Sequence, residues 1–303
     1  MTASDWIAAD WGTTRLRVWR MQGRKAIAEA QSDKGMGKLA RDEFEPALLD
    51  LVESWLSGQG RTLVMACGMV GARQGWVEAP YVPVPAAPGD PASAIPAPAR
   101  DARLDVRILP GVSQRIPPDV MRGEETQIAG LLLDHPGFSG LVCLPGTHSK
   151  WVQVQDGLIV RFQTFMTGEQ FAVLSEASVL RHSVRHSGWD DASFQAAVEE
   201  TWSDPGALPG ALFGIRAQGL LEESDAGAAR ARLSGLLVGA ELGRMLKPGS
   251  VDNVTVVGSG SIAGIYGDAL RHAGVTVREV PVETATLKGL CAAKSILEGA
   301  RHE

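Results

Sequence analysis

Three short runs open the chain with the period-two pattern of β-strands. Trp6-Ile7-Ala8-Ala9 is continuously apolar and closes on Asp10. Arg15-Leu16-Arg17-Val18-Trp19 alternates, and Lys25 to Gln31 alternates again around Ile27. The breaks between them, Trp11-Gly12-Thr13-Thr14 and Gln22-Gly23, have the composition of tight turns. The period then changes. Phe44, Leu48, Leu51, Trp55 and Leu56 recur at helical spacing, and Pro46 falls in the first turn, where a missing N–H is tolerated. Thr62 to Cys67 predicts a further strand running into Gly68-Met69-Val70-Gly71. Pro83, Pro85, Pro88, Pro91, Pro96 and Pro98 mark residues 83–99 as an extended, mobile surface loop.

The middle of the chain repeats the beginning. Leu141 to Leu144 is an apolar strand, Pro145-Gly146-Thr147-His148 a turn, Lys150 to Gln155 a strand, Asp156-Gly157 a hairpin signal and Leu158 to Phe165 another strand. The spacing from Gly12 to Gly23 recurs from Gly146 to Gly157, so duplication is the simplest reading. Helices are expected over Ile128 to Leu133 and Phe171 to Leu180. A long helix over Ala228 to Leu246 has small residues (Gly235, Gly239, Ala240, Gly243) suited to close packing. Val254 to Val257 predicts a buried strand, then Gly258-Ser259-Gly260-Ser261, a helix through Leu270, a strand over Val275 to Val282 and a final helix over Thr286 to Leu297.

Charge and cysteine content narrow the function class. Lys and Arg number 29 against 35 Asp and Glu, for a net charge of −6, with no basic stripe; nucleic acid and membrane surfaces are therefore poor partners. Cys67, Cys143 and Cys291 are scattered through apolar stretches without a CxxC, which predicts buried free thiols in a reducing compartment. There is no signal-like N-terminus and no apolar run of spanning length, so the expected location is the cytoplasm. His182 and His186 stand four apart, but no third ligand is in view and zinc is not expected.

Four places can carry chemistry. In Asp10-Trp11-Gly12-Thr13-Thr14, a Gly-Thr turn offers N–H and hydroxyl donors to an anion, and the aspartate at the strand end can hold a hydrated Mg²⁺ against it. The bland alternative is a hairpin with a solvated aspartate. Gly146-Thr147-His148-Ser149 is a second donor-rich turn, and two such turns would clamp a polyphosphate from both sides. Gly258-Ser259-Gly260-Ser261-Ile262-Ala263-Gly264 resembles a dinucleotide fingerprint, yet too little chain follows it for most of a Rossmann domain; it suits a base or ribose approached by backbone. Met121-Arg122-Gly123-Glu124-Glu125-Thr126-Gln127 opens a helix, where acidic residues either favour the dipole or supply a base aimed into a cleft.

Together these strings resemble the superfamily of actin, sugar kinases and heat-shock chaperone ATPases. More narrowly, DWGTTRLRVW, ACGMVGARQGW, MRGEETQ, LPGTHSKWVQV and MTGE are similar to the 2-dehydro-3-deoxygalactonokinase family. The likeness covers residues 6–169 and weakens towards the end, with the proline- and alanine-rich stretch 83–99 as a departure from it. The resemblance implies an α/β, two-lobed actin-like ATPase (ribonuclease H-like) fold with duplicated β-meander-plus-helix units and an interdomain cleft. It places an N-terminal lobe at 1–135, with a helix from 285–303 packing back on it, and a C-terminal lobe at 136–284.

The resemblance also implies ATP-dependent phosphorylation of 2-dehydro-3-deoxy-D-galactonate to its 6-phosphate, as in galactonate catabolism. Asp10 would organise Mg²⁺. Thr13, Thr14 and Arg15 would hold phosphates from the first unit, Gly146 and Thr147 from the second, with Gly258, Ser259 and Gly260 at the adenosine. Glu124 or Glu125 would be the base, with a slight preference for Glu125. Lys38, Arg73 and Arg122 are candidate cations for the substrate carboxylate, and Glu169 of MTGE a candidate lining of the sugar pocket. Partners are thus the sugar acid and ATP, with self-association left open. The alternatives are a kinase for another hexose or sugar acid, an actin-like ATPase without a sugar substrate and, from Gly258 to Gly264 alone, a nicotinamide-dependent oxidoreductase.

Overall fold

The computed structural model describes residues 5–56, 60–184, 188–221, 226–246 and 251–299. His186 lies outside them. The chain divides into two compact units, one holding Met1–Ser139, Val154–Arg161 and Val282–Glu303, the other Gly140–Gln153 and Phe162–Pro281.

The chain order begins β1 (Asp5–Trp11), β2 (Leu16–Gln22), β3 (Lys25–Ser32), α1 (Phe44–Val52), β4 (Thr62–Gly68) and β5 (Tyr81–Pro83). It continues β6 (Ile95–Pro96), β7 (Leu104–Ile108), β8 (Gly111–Gln114), β9 (Asp119–Met121) and α2 (Glu124–Asp134). Then follow β10 (Gly140–Leu144), β11 (Ser149–Gln155), β12 (Leu158–Phe165), α3 (Thr167–Glu176), α4 (Arg181–Val184), α5 (Asp191–Ser203), α6 (Leu208–Leu221) and α7 (Ala226–Met245). The last elements are β13 (Asn253–Gly258), α8 (Gly260–His272), β14 (Thr276–Pro281) and α9 (Val282–Gly299).

The two large sheets share the order of five strands, and the first adds β6 at its edge. The first runs β3-β2-β1-β4-β7-β6 and the second β12-β11-β10-β13-β14. In each, three strands joined by tight turns lead to a later strand parallel to the first of them: β4 beside β1, and β13 beside β10. A separate three-stranded sheet runs β5-β8-β9.

The first sheet is buried on both faces, which accounts for the near-continuous apolar run of β1. Ile7, Ala9 and Trp11 point into one core with Phe44, Leu48 and Val52 of α1; Trp6 and Ala8 point into another with Leu290, Cys291 and Ala293 of α9. Trp11, Phe44 and Trp76 form an aromatic cluster with centroids 5.1–6.2 Å apart. Helices α2 and α9 cross backbone to backbone at two glycines. A methyl at Gly130 would strike the carbonyl of Ala285, and one at Gly289 the carbonyl of Thr126. In the second unit α7 meets α5 through the small-residue row read from sequence: side chains at Gly235, Gly239 and Gly243 would collide with the carbonyls of Phe194, Val198 and Trp202.

Residues 83–99 depart from the loop expectation. Ala86 bridges Ile159, Ile95–Pro96 forms an edge strand against β7, and Pro91 is buried. Proline at an edge forfeits only a hydrogen bond that faces solvent. All three cysteines are buried and unpaired. Among the described residues no helix is long and apolar enough to cross a membrane.

Candidate active site

In the first unit, three of the sequence strings meet where β1 and β4 end. Asp10 pairs in register with Arg17 across the hairpin, and Arg17 Nη2 donates to Asp10 Oδ2 at 2.5 Å. Gly12 N–H donates to the Arg15 carbonyl, which tightens the turn. The segment after β3 braces it from below, with the N–H groups of Met36 and Gly37 donating to the carbonyls of Gly12 and Thr13. Thr13, Thr14 and Arg15 are left exposed at the tip. Parallel pairing places Cys67 beside Asp10 and Gly68 beside Trp11. A Cβ at Gly68 would lie 3.6 Å from Asp10 Oδ1, and one at Gly123 would lie 3.3 Å from the Gly68 Cα. The start of α2 is thereby set next to the first turn.

The two glutamates of that helix differ. Glu124 is half-buried, and its Oε2 accepts from the Arg122 N–H at 3.1 Å. Glu125 is 1% exposed, and both its oxygens accept from the Gly123 N–H at 2.9 and 2.8 Å. Burial, and then the neighbouring charge of Glu124, push its carboxyl up to about 7, against the pull of the Gly123 N–H. Burial also drives the Cys67 thiol well above its usual range, helped by the charges of Asp10 and Glu125.

The candidate carboxylate-binding cations separate as clearly. Lys38 is exposed and paired with Asp33 at 2.8 Å. Arg73 is exposed, with its carbonyl accepting from Arg41. Arg122 is only 8% exposed: its guanidinium stacks 4.2 Å from the Tyr81 ring centroid, Nη2 donates to the Ala79 carbonyl, and Nε and Nη1 have no partner. A buried guanidinium with idle donors is costly unless something else meets it.

In the second unit, the Gly146-Thr147-His148 turn joins β10 to β11. The start of α3 docks on it: Glu169 N–H donates to the Thr147 carbonyl, and a Cβ at Gly168 would lie 2.9 Å from the Thr147 Cα. His148 Nε2 contacts Glu169 Oε2 at 2.6 Å. A cavity of about 630 Å³ opens beside the turn, lined by Gly146, Thr147, Thr167, Arg230, Ser261 and Tyr266 among others. That volume suits a nucleoside-sized ligand. Arg230 caps the Phe171 ring at 4.8 Å on the cavity wall. Gly258 lies under the turn, 3.7 Å from Pro145 Cδ by its missing Cβ. Ser259 occupies the N-cap position of α8 without a side-chain capping bond, and Gly260 has φ +63° with open space around it. Ser261, Ile262 and Gly264 of the same motif line the cavity, with Ile265 just after it.

A family model described as 2-keto-3-deoxy-galactonokinase matches residues 10–293, nearly the whole chain. The chain belongs to the 2-keto-3-deoxy-galactonokinase family. A Rhizobium meliloti relative named as a probable 2-dehydro-3-deoxygalactonokinase is 42% identical over 302 residues, covering 96% of this chain and 97% of its own length. The Escherichia coli 2-dehydro-3-deoxygalactonokinase is 34% identical over 293 residues, with 96% and 97% covered. A Sinorhizobium meliloti crystal structure, described as a candidate member of the same enzyme group, aligns at 40% identity and a TM-score of 0.90, covering 96% of this chain and 99% of its own. The activator of 2-hydroxyisocaproyl-CoA dehydratase from Clostridium difficile, solved with bound ADPNP, shares the fold alone (TM-score 0.52 at 13% identity, 99% and 98% covered). The architecture is thus the α/β actin-like ATPase fold expected from the strings, and family membership makes the protein a kinase rather than an oxidoreductase.

Within this family frame, the structure brings Asp10, Glu124 and Glu125 together in the first unit, and Gly146, Thr147 and Glu169 with the glycine motif in the second. Sequence reading passed over Arg17, which holds Asp10, although hairpin symmetry about Gly12–Arg15 points to it. Within the second turn the sequence signals only a donor-rich bend, not the pairing of His148 with Glu169, and nothing in it marks Glu241.

Proposed function

We propose that this protein transfers the terminal phosphoryl group of ATP to 2-dehydro-3-deoxy-D-galactonate, giving the 6-phosphate and ADP. Family membership supplies the reaction class. The structural observation that supports it is the meeting of DWGTT, ACGMVG and MRGEETQ at one end of β1 and β4, where Cys67 pairs beside Asp10 and a Cβ at Gly123 would lie 3.3 Å from the Gly68 Cα. The carboxyl ends of parallel strands are where α/β folds bind ligands.

Glu125 accepts the proton of the attacking hydroxyl. The substrate's hydroxyl oxygen then bonds to the γ-phosphorus as the bridge to the β-phosphate breaks, and ADP leaves. A carboxyl near 7 is matched to that task at neutral pH. Thr13, Thr14 and Arg15 hold phosphate from the first unit, and Gly146 and Thr147 from the second. The cavity beside α8 receives the nucleoside, with Gly258, Ser259 and Gly260 letting backbone approach it. Arg122 meets the sugar-acid carboxylate with the donors it has to spare, in preference to Lys38 and Arg73. Glu169 acts through His148 on the second turn rather than as lining for the sugar.

The donor set of the first unit fits Mg²⁺. No group of three or more His, Cys, Asp or Glu able to hold a metal occurs among the described residues, and Mg²⁺ in kinases keeps most of its water and needs one or two carboxylates. Asp10, fixed by Arg17, would hold it, and the ion would neutralise phosphate charge.

A coupled ADP-release assay across 2-keto-3-deoxy sugar acids and plain hexoses tests the reading. Turnover should depend on the acceptor and be fastest with 2-dehydro-3-deoxy-D-galactonate. ATP hydrolysis indifferent to any sugar acid would instead favour an actin-like ATPase.

A further inference from the structure

The second unit contains a buried carboxylate that the mechanism above leaves unused. Glu241 of α7 is 2% exposed and accepts from four donors on three other elements. Its Oε1 takes Ser149 Oγ at 2.8 Å and Trp151 Nε1 at 2.6 Å. Its Oε2 takes Ser149 Oγ at 2.7 Å, Tyr266 OH at 2.8 Å and Thr167 Oγ1. A carboxylate offers about four lone-pair sites, so these four donors saturate it. Burial pushes the carboxyl up while the donors pull it back.

The donors come from the parts that surround the cavity. Ser149 directly follows the Gly146-Thr147-His148 turn. Thr167 opens α3, whose next residues pack on Thr147. Tyr266 lies on α8, which begins at the glycine motif, and both Thr167 and Tyr266 line the cavity. We propose that Glu241 is a positioning residue for the nucleotide site, holding the second Gly-Thr turn, the start of α3 and helix α8 at the spacing that ATP requires. This rests on the kinase reading above. Glutamine keeps the shape of the side chain but turns an NH₂ group towards hydroxyl and indole donors, so the cluster cannot be satisfied as it stands.

The test measures binding of a non-hydrolysable ATP analogue by calorimetry without any sugar, together with KM for ATP and for the sugar acid. The variants are Glu241→Gln, Ser149→Ala and the double variant, each checked by melting temperature. Ser149 is fully buried and does not line the cavity, so its effect on nucleotide must pass through another group. Each single variant should weaken nucleotide roughly tenfold, as loss of a hydrogen bond to a charged group does. The double variant should be no weaker than Glu241→Gln, and KM for the sugar acid should move less than about twofold. Unchanged affinity in a folded Ser149→Ala protein, additive losses in the double variant, or equal rises in both KM values would overturn the proposal. If Glu241→Gln does not fold, Ser149→Ala alone decides. Normal analogue binding without phosphorylation of any sugar acid would count against the proposed substrate, not against the role of Glu241.

Discussion

Replacing Glu125 by Gln removes the proposed base and a costly charge at the same time, so activity and stability should move in opposite directions. Loss of a general base costs roughly 10²–10⁴-fold in kcat. The stability effect follows from burial. A carboxyl lifted from 4.5 to about 7 in the folded state favours its neutral form there, so the folded protein is penalised as pH rises through that interval. The penalty begins above the unfolded value near 4.5, grows to about 3 kcal/mol and is flat above 7. Glutamine mimics the neutral acid, including a donor in the same place, and escapes the penalty. Chemical denaturation should therefore show Glu125→Gln gaining on the native protein between pH 5 and pH 8, while kcat for the native enzyme climbs with pH through about 7. If the variant keeps kcat within about tenfold, the assignment of the base fails; if its stability relative to the native protein is the same at both pH values, the raised carboxyl fails.

Two further outcomes follow from the geometry. Gly289→Ala drives a methyl into the Thr126 carbonyl one residue from Glu125, so unfolding experiments should show a loss of about 1–3 kcal/mol or more, and kcat should fall with it. An unchanged melting temperature would mean that α2 and α9 can separate without cost. Arg122→Lys keeps the charge but loses the planar fork, and KM for the sugar acid should rise at least about tenfold while KM for ATP holds. Equal changes in both would point to a role in folding alone.

Much of the scaffold was readable because its signals are local. The alternation of Arg15 to Trp19, the Asp156-Gly157 hairpin and the apolar Val254–Val257 run each reflect the periodicity or turn chemistry of a few adjacent residues. Helix α6 escaped notice for the opposite reason: Pro209, Gly210, Gly214 and Gly219 read as breakers, and Ile215 is its one fully buried residue, so no apolar stripe marks it. The short strands β7 to β9 follow a proline-rich stretch that looked structureless. Within the site, Asp10 and the two Gly-Thr turns announced themselves by composition. The choice between Glu124 and Glu125 depends on which one α2 buries, and Glu241 gains its partners only when β11, α3 and α8 are brought together. Long-range hydrogen bonds of that kind leave no periodic trace.

The glycine crossing of α2 and α9 also bears on how the molecule is made. Lys288 pairs with Asp134 across 154 residues of intervening chain, and the whole second unit is translated between them. A ribosome that has finished the strands carrying Asp10 and Cys67 still holds an incomplete domain, with the apolar surface that α9 later covers left bare. Contacts so distant in sequence form slowly, and exposed surface of that kind invites aggregation while it waits. Truncations that spare every proposed catalytic group but remove the last helix should therefore lose the enzyme during biosynthesis, before chemistry is ever at issue.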